Sequence, residues 1–163
     1  MEAVGDERPT IEGLFRAEFA RLVRSLGVAE GHEEAGEAVQ EAFVRAERRW
    51  ARVASLDDPA GWLRRVAVNR LANARRDRRG RPELLAAVRP PDPADLGPVD
   101  LDLLTAVRAL PAQQRRCLCL HHIGGYPVED VGTALEIAPE TVKAHLHDGS
   151  AALRRALEGS NDG

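Results

Sequence analysis

The sequence predicts an all-α protein, with two small helical domains joined by a proline-rich linker. Apolar residues recur at helical spacing in several long stretches, and no stretch gives a strand signal. Aromatic residues make up only 4% of the chain, so its cores must be built mainly from Leu, Val and Ala, which suits small helical bundles. We expect the first domain over residues 10–80, the linker over 81–99 and the second domain, with a helix-turn-helix, over 100–159.

Three helices with short connections are predicted for the first domain. The first begins after Thr10, a residue type that caps helices, and Gly27 can end it. The second runs from Glu33 to Arg52, and its acidic N-terminal half complements the helix dipole. A turn then leads to the third. The residues expected to face the core in the first two helices are Ile11, Leu14, Phe15, Leu22, Val23, Leu26, Ala35, Ala38, Val39, Ala42, Phe43, Ala46 and Trp50.

The third helix, in Trp62–Arg81, is strongly basic in a chain whose net charge is −3. It holds eight Arg and one acid, Asp77. Asp58 is a candidate cap in the turn before it, next to Pro59. Arginines clustered on one helix are an electrostatic footprint for phosphate, although a solvated basic helix tip is the alternative interpretation. The predicted core stripe is Leu63, Val66, Ala67, Leu71 and Ala74, and the opposite face presents Arg64, Asn69, Arg70, Asn73 and Arg76.

The linker and the second domain follow. Gly80–Pro98 contains five Pro and is expected to be extended, with a short helical turn at Leu84–Val88, so the free protein should sample several domain arrangements. Beyond it, one helix ends at Pro111. The next is predicted over Ala112–His122, before the pair Gly124-Gly125.

A short helix, a turn and a longer helix complete the second domain. The short helix is predicted over Val128–Leu135 and the turn over Glu136–Ala138, and the longer helix begins at Pro139. This order matches the helix-turn-helix outline. The inward positions of the last helix are Val142, Leu146, Leu153 and Leu157.

The two cysteines lie in the run CLCLHH, Cys117–His122. A disulfide between residues two apart in a helix is geometrically poor. Metal-dependent sensing is one interpretation of the run, but a single helix rarely supplies a closed tetrahedral site, and small core cysteines are common. We expect no metal, no cofactor and no catalytic residues, because no phosphate-binding glycine loop or paired carboxylates can be recognised. With no signal peptide and no long apolar stretch, a cytoplasmic location without membrane insertion is expected.

Four blocks resemble one family. They are EAGEAVQEAFVRAERRW (34–50), DPAGWLRRVAVNRLANARRDRR (58–79), ALPAQQRRCLCL (109–120) and VEDVGTALEIAPETVKAHLHDGSAALRRAL (128–157). In this order they resemble bacterial sigma factors of the extracytoplasmic-function (ECF) group of the sigma-70 family. The resemblance implies a protein that binds core RNA polymerase, recognises promoter DNA and helps to open the minus-ten element. An anti-sigma factor would be the usual regulator. The alternative is a helix-turn-helix regulator that binds duplex operators as a dimer without polymerase.

The resemblance also implies which residues make the contacts. The acidic second helix would dock on the polymerase, the basic helix would capture the melting minus-ten element, and the last helix would enter the major groove of the minus-thirty-five element. The implied polymerase-binding residues are Glu34, Glu37, Gln40 and Glu41. The implied minus-ten residues are Trp62, Arg65, Asn69, Arg70, Asn73 and Arg76. The implied minus-thirty-five residues are Glu140, Thr141, Lys143, Ala144 and His145.

Some positions depart from the family pattern. Gly36 stands where a Glu is usual, which removes one charge from the polymerase-binding face. Glu136 stands where the turn usually has Gly, at a cost on the order of 1 kcal/mol if that position needs a positive φ. Ala138 supplies no cap side chain. The last helix carries little Arg in its middle, so we expect the upstream contact to be weak or unusual.

Overall fold

The computed structural model describes residues 8–79 and 100–162, and within these ranges it contains α-helices and no strand. The all-α prediction is therefore confirmed. Residues 81–99, including the predicted turn at Leu84–Val88, lie outside the described residues, and the division into two domains stays a prediction. The helices are α1 (Ile11–Glu30), α2 (His32–Arg48), α3 (Trp50–Ala54), α4 (Pro59–Arg79), α5 (Leu101–Ala109), α6 (Ala112–Leu118), α7 (Val128–Leu135) and α8 (Pro139–Asn161).

Helix α1 begins as predicted but does not end at Gly27. The Thr10 hydroxyl accepts a hydrogen bond from Gly13 N at 3.1 Å and caps the helix. The helix continues to Glu30, and Gly31, with φ 109°, makes the turn into α2. Gly27 instead allows close packing, since a Cβ there would lie 3.2 Å from Nδ1 and 3.3 Å from Cα of His32. Both glycines are needed, but only Gly31 ends the helix.

The second predicted helix is two helices in the structure. Arg49, with φ −123° and ψ 29°, interrupts the expected span Glu33–Arg52 and separates α2 from the short α3. Beyond the interruption Trp50 packs against the core and Val53 is buried. Apolar periodicity continues across the break, which explains why the pattern predicted one helix.

Helix α4 begins as expected, where the Asp58 carboxylate accepts a hydrogen bond from Gly61 N at 2.9 Å. The prediction for Arg64 was wrong. Its side chain is not presented to solvent but is only 4% exposed, and its Nη1 donates to Glu18 Oε1 of α1 at 3.1 Å. An arginine can occupy the inner face here because a buried carboxylate meets it. The buried apolar residues of α4 are Leu63, Ala67, Val68 and Leu71.

Helices α1–α4 form a first helix group and α5–α8 a second. In the second helix group, Asp100 caps α5, and α6 follows Pro111 as predicted. The predicted helix Ala112–His122 changes character after Leu118, where Cys119–Ile123 forms a π-helical turn that ends at Gly124. Gly124 N donates to the Cys119 carbonyl five residues earlier, at 3.0 Å. A π-helical turn has no simple periodicity signal in the sequence.

The helix-turn-helix is formed by α7 and α8, as the sequence predicts. Glu136 has φ 58° and ψ 43° in the turn, so the expected positive φ is present. Ala138 makes no side-chain cap hydrogen bond. Val142 is fully buried, and Leu146 packs against the core. The buried Gly149 lets α8 approach α6, because a Cβ there would lie 2.7 Å from Leu118 Cδ1.

Helices α1–α4 share one hydrophobic core with α6–α8 in this structure, which joins Leu22 and Leu63 to Leu120, Val131 and others. Helix α5 packs through a smaller cluster of Ala29, Val107 and Cys119. Sampling of several arrangements by the free protein stays a prediction.

A buried polar network crosses the same boundary. Tyr126 Oη donates to Glu18 Oε2 at 2.5 Å, while Glu18 Oε1 accepts from Arg64. The Arg21 and Arg64 guanidinium carbons lie 3.9 and 5.0 Å from the centroid of the Tyr126 ring. Burial, with the hydrogen bond to Glu18, raises the pKa of Tyr126, so the phenol remains a donor. This network ties α1 and α4 to the loop before α7.

We expect Tyr126→Phe to lower the free energy of unfolding by about 1.5–3 kcal/mol, because it removes a buried hydrogen bond to a charged group and leaves the ring in place. Urea denaturation followed by circular dichroism measures the change. Ser160→Ala, which removes an exposed hydroxyl hydrogen-bonded within α8, should stay within about 0.5 kcal/mol of the wild type. An equal loss in both variants would contradict a special role for the network.

Candidate functional site

A line of polar side chains occupies the outer face of α4. Asn69, Arg70, Asn73 and Arg76 are all exposed, and their spacing places them on one side of the helix. Trp62 lies half-buried in the first turn and packs against the core. Apart from Trp62 and Arg65, the residues predicted for the minus-ten element therefore form one continuous exposed surface, with amide groups between guanidinium groups.

Two cations of the predicted minus-ten surface meet acidic side chains of the same chain. Arg65 is half-buried, and its Nε lies 3.9 Å from Glu136 Oε1 in the turn of the helix-turn-helix. Arg70 Nε donates to Glu41 Oε2 of α2. The second helix group therefore faces one end of the candidate DNA surface, and the predicted polymerase-binding helix contacts its middle.

The acidic and polar residues predicted on the outer face of α2 differ in exposure and in their partners. Glu37 and Gln40 are exposed, whereas Glu41 is half-buried and accepts from Arg45 Nη2 at 3.1 Å as well as from Arg70. The hydrogen bond from Arg70 holds the pKa of Glu41 below its usual value, with the charges of both arginines adding to the effect.

Glu34, the fourth predicted polymerase-binding residue, lies apart from the others. A Cβ built on Gly31 would lie 2.2 Å from Glu34 Oε2, so its carboxylate reaches back over the α1–α2 turn. There it interacts electrostatically with Arg108 of α5. Glu34 therefore faces the second helix group.

An apolar groove between α1 and α2 adjoins the same acidic face. It has a volume of about 460 Å³, and Gln40 lies at its border. The sequence placed Phe15 in the core, but its side chain is 45% exposed in this groove. Its ring stacks on Phe19 with centroids 4.5 Å apart and meets the edge of Phe43 at 5.2 Å. Apolar periodicity alone could not distinguish the exposed Phe15 from a core residue.

The predicted minus-thirty-five residues lie at the start of α8. Glu140, Thr141, Lys143 and Ala144 are exposed, and His145 is half-buried. Lys143 Nζ lies 3.2 Å from Glu140 Oε1, so the one lysine of this surface is paired within its own helix. The buried Val142 fixes which side of the helix faces outward. This face can enter a groove, but it offers little positive charge.

The CLCLHH run contributes to the core. Cys117 and Cys119 are buried, and burial raises the pKa of their thiols to about 11 and about 12. Nδ1 of His121 lies 2.8 Å from the Tyr126 carbonyl oxygen, to which it can donate. Within residues 8–79 and 100–162, no group of three or more His, Cys, Asp or Glu side chains is placed to hold a metal ion. Over the same ranges, no helix is long and apolar enough to cross a membrane.

Comparisons with known proteins match two successive parts of the chain to one family. The family model for sigma-70 region 2 matches residues 15–81, and the model for sigma-70 region 4 matches residues 100–153. The chain is 29% identical over 153 residues to the RNA polymerase sigma-E factor of Streptomyces antibioticus, covering 86% of this chain and 85% of that protein.

A solved structure shows the same fold. It is the sigma factor RpoE of Bartonella quintana in complex with the anti-sigma factor NepR, with a TM-score of 0.71 and 22% identity over 90% of this chain and 95% of that one. The match to region 2 accounts for the first helix group, which the alternative of a polymerase-independent regulator would leave unexplained. Two family models in the expected order, with a sigma factor among the relatives, show that this chain belongs to the sigma-70 family, as an RNA polymerase sigma factor of the ECF group.

Proposed function

We propose that this sigma factor opens promoter DNA with the exposed face of α4 and docks on core RNA polymerase with the outer face of α2. In this proposal residues 10–80 act on the polymerase and the minus-ten element, residues 81–99 link the domains, and residues 100–159 act on the minus-thirty-five element. The continuous line Asn69, Arg70, Asn73 and Arg76 carries the proposal, because it combines base-reading amides with phosphate-binding cations on a rigid element.

The chemistry of strand opening suits this surface. A base that leaves the duplex loses its stacking and pairing partners, so its capture needs a polar reader, a flat surface and clamps on the neighbouring phosphates. Asn69 and Asn73 supply amides, Arg70 and Arg76 supply cations, and Trp62 offers a half-exposed ring at the start of the helix. Arg65 joins this set once it leaves Glu136.

Polymerase docking combines charge with apolar contact in our proposal. Glu37, Gln40 and Glu41 give α2 an acidic and polar face that suits a basic partner surface, and the groove with Phe15 supplies an apolar anchor beside it. Aromatic anchors in pockets account for much of the binding energy of interfaces, whereas exposed charges mainly guide association. Glu34 contributes less directly, since it lies towards α5.

The last helix contributes less to DNA affinity. Lys143 is already paired with Glu140, and its neighbours Thr141 and Ala144 carry no charge. Phosphate contacts supply much of the affinity for DNA, so few cations mean a small electrostatic contribution. We infer that this helix sets the register on the promoter while α4 supplies most of the binding.

Further features of the proposal rest on the family rather than on geometry. The protein acts without enzymatic chemistry of its own, in the cytoplasm where the polymerase works. An anti-sigma factor regulates it, as NepR binds the Bartonella RpoE.

The direct test is transcription by core polymerase on a library of random promoters, with and without this protein. We expect Asn69→Ala and Arg70→Ala to reduce open-complex formation about 5- to 100-fold, the range for losing one good base or clamp contact. The permanganate reactivity of the melted strand measures open-complex formation. Arg24→Ala, at an exposed position of α1, is the matched control and should leave opening unchanged. Equal polymerase binding by all variants must be established first, because Arg70 also pairs with Glu41.

The polymerase-binding face can be tested by adding a charge. A Cβ at Gly36 meets no atom within 4 Å, so Gly36→Glu fits without a clash and adds a carboxylate near Gln40. We expect binding to core polymerase to tighten about two- to fivefold, and α2 to gain stability from losing a helix glycine. Gly159→Glu, at an equally open position of α8, is the control and should not change the affinity. Competition against labelled wild-type protein measures both. Unchanged binding by Gly36→Glu would place the docking face elsewhere.

A further inference from the structure

A small cavity lies between α4 and α6, at the boundary of the two helix groups. It has a volume of about 150 Å³ and is lined by Ala72, Arg75, Arg76, Ala112 and Arg116. Three of its five lining residues are arginines, and the other two are small. The proposed contacts with polymerase do not use it, and only Arg76 belongs to the proposed DNA surface.

One buried carboxylate contacts three arginines at this place. The Glu30 side chain, only 2% exposed, accepts from Arg116 Nε at 2.6 Å and from Arg75 Nη1 at 3.4 Å, and it lies 3.6 Å from Arg115 Nη2. Arg76 adds a further guanidinium group at the cavity. Among the described residues, three arginines thus share the carboxylate of Glu30, and with Arg76 at the cavity the positive charge exceeds the negative charge there.

The hydrogen-bonding capacity of these arginines is also incompletely used. Nε of Arg75 and Nε of Arg115 are buried and find no hydrogen-bond partner among the described residues. A buried donor without an acceptor costs about 1–3 kcal/mol. Burial, together with the nearby charges of Arg75 and Arg116, lowers the pKa of Arg115. The excess of positive charge thus favours a negatively charged ligand beside Arg75, Arg76 and Arg116, which line the cavity.

We propose that this cavity binds an oxyanion of the phosphate class, held by Arg75, Arg76 and Arg116. Guanidinium groups form paired hydrogen bonds to phosphate oxygens, and Ala72 and Ala112 leave room for a small ligand. The phosphate comes either from a free molecule, such as inorganic phosphate or pyrophosphate, or from the DNA backbone near Arg76. Both sources offer the same phosphate oxygens to the arginines of the cavity.

An anion in this cavity would connect the two helix groups. Arg75 and Arg76 belong to α4, and Arg116 belongs to α6, so the bound anion contacts both sides at once. A ligand that binds only this arrangement stabilises it by mass action. Free phosphate would therefore favour the packed arrangement, in which Arg65 lies against Glu136.

Thermal unfolding of the full chain in increasing phosphate or pyrophosphate, at constant ionic strength set with sodium chloride, tests the proposal. We expect a saturable rise in Tm of about 3–6 °C at about ten times the dissociation constant. Arg116→Gln should abolish the rise, whereas Arg155→Gln, an exposed arginine of α8, should retain it. Ala112→Leu keeps every arginine and fills the cavity, so it should also abolish the rise. It serves as the test if Arg116→Gln does not fold.

The change in Tm of the wild type and of the three variants distinguishes the possible results. No saturable rise in the wild type, or equal rises in Ala112→Leu and the wild type, overturns the proposal. A rise lost equally in Arg116→Gln and Arg155→Gln reveals general charge screening and also overturns it. Binding of a single-stranded oligonucleotide without a terminal phosphate then identifies the source. If phosphate competes with the oligonucleotide and Arg116→Gln removes this competition, the phosphate bound in the cavity comes from the DNA backbone. If neither phosphate nor Arg116→Gln changes oligonucleotide binding, the cavity binds a free anion.

Discussion

The arrangement of this molecule depends on the buried carboxylate of Glu18. It joins Arg64 on α4 to Tyr126 in the loop before α7, and it does so in the middle of the shared core. Removing one member of a buried pair leaves an uncompensated charge, which costs about 3–5 kcal/mol. The position of α4, which carries the candidate DNA surface, is therefore fixed by a charge on a different helix and by a hydroxyl from the other helix group.

Glu30, the last residue of α1, has the same role. It collects arginines from α4 and α6, while Arg108 of α5 donates to the carbonyl oxygens of Gly27 and Val28. The two helix groups thus meet through an apolar core with an ionic cluster on each side. Apolar packing tolerates sliding, whereas hydrogen-bonded charges accept few geometries. The clusters therefore contribute more to choosing this arrangement than to its net stability.

Much of the fold could be predicted because helical periodicity, caps and prolines are local signals. Thr10, Asp58 and Pro139 mark helix starts that the structure confirms. The departures have non-local causes. Arg64 is buried because Glu18, 46 residues away in the chain, accepts its hydrogen bond, while Asp58 and Asp130 lie 3.6 and 3.8 Å from Nη2. Phe15 is exposed because α1 and α2 leave a groove at their surface.

The candidate site was predictable in part for the same reason. The exposed line of polar side chains on α4 follows from the helical period of the sequence, and Asn69, Asn73 and Arg76 are exposed on it as expected. Pairing of Arg65 with Glu136 could not be read from the sequence, since it depends on how the helix groups pack. The cavity with Arg116 depends on the same packing, which no local pattern encodes.

The shared carboxylate of Glu41 has a thermodynamic consequence. It accepts from Arg70, so any cationic partner that takes this carboxylate displaces Arg70 and leaves its guanidinium group available to an anion. By linkage, an anion that takes Arg70 likewise leaves Glu41 available to a cation, with the same coupling energy. Exposed ion pairs contribute up to about 1 kcal/mol, so the coupling amounts to about a fivefold change in affinity at most. If the polymerase and the promoter occupy these two surfaces as we propose, the shared carboxylate couples their binding, and each partner would favour the other.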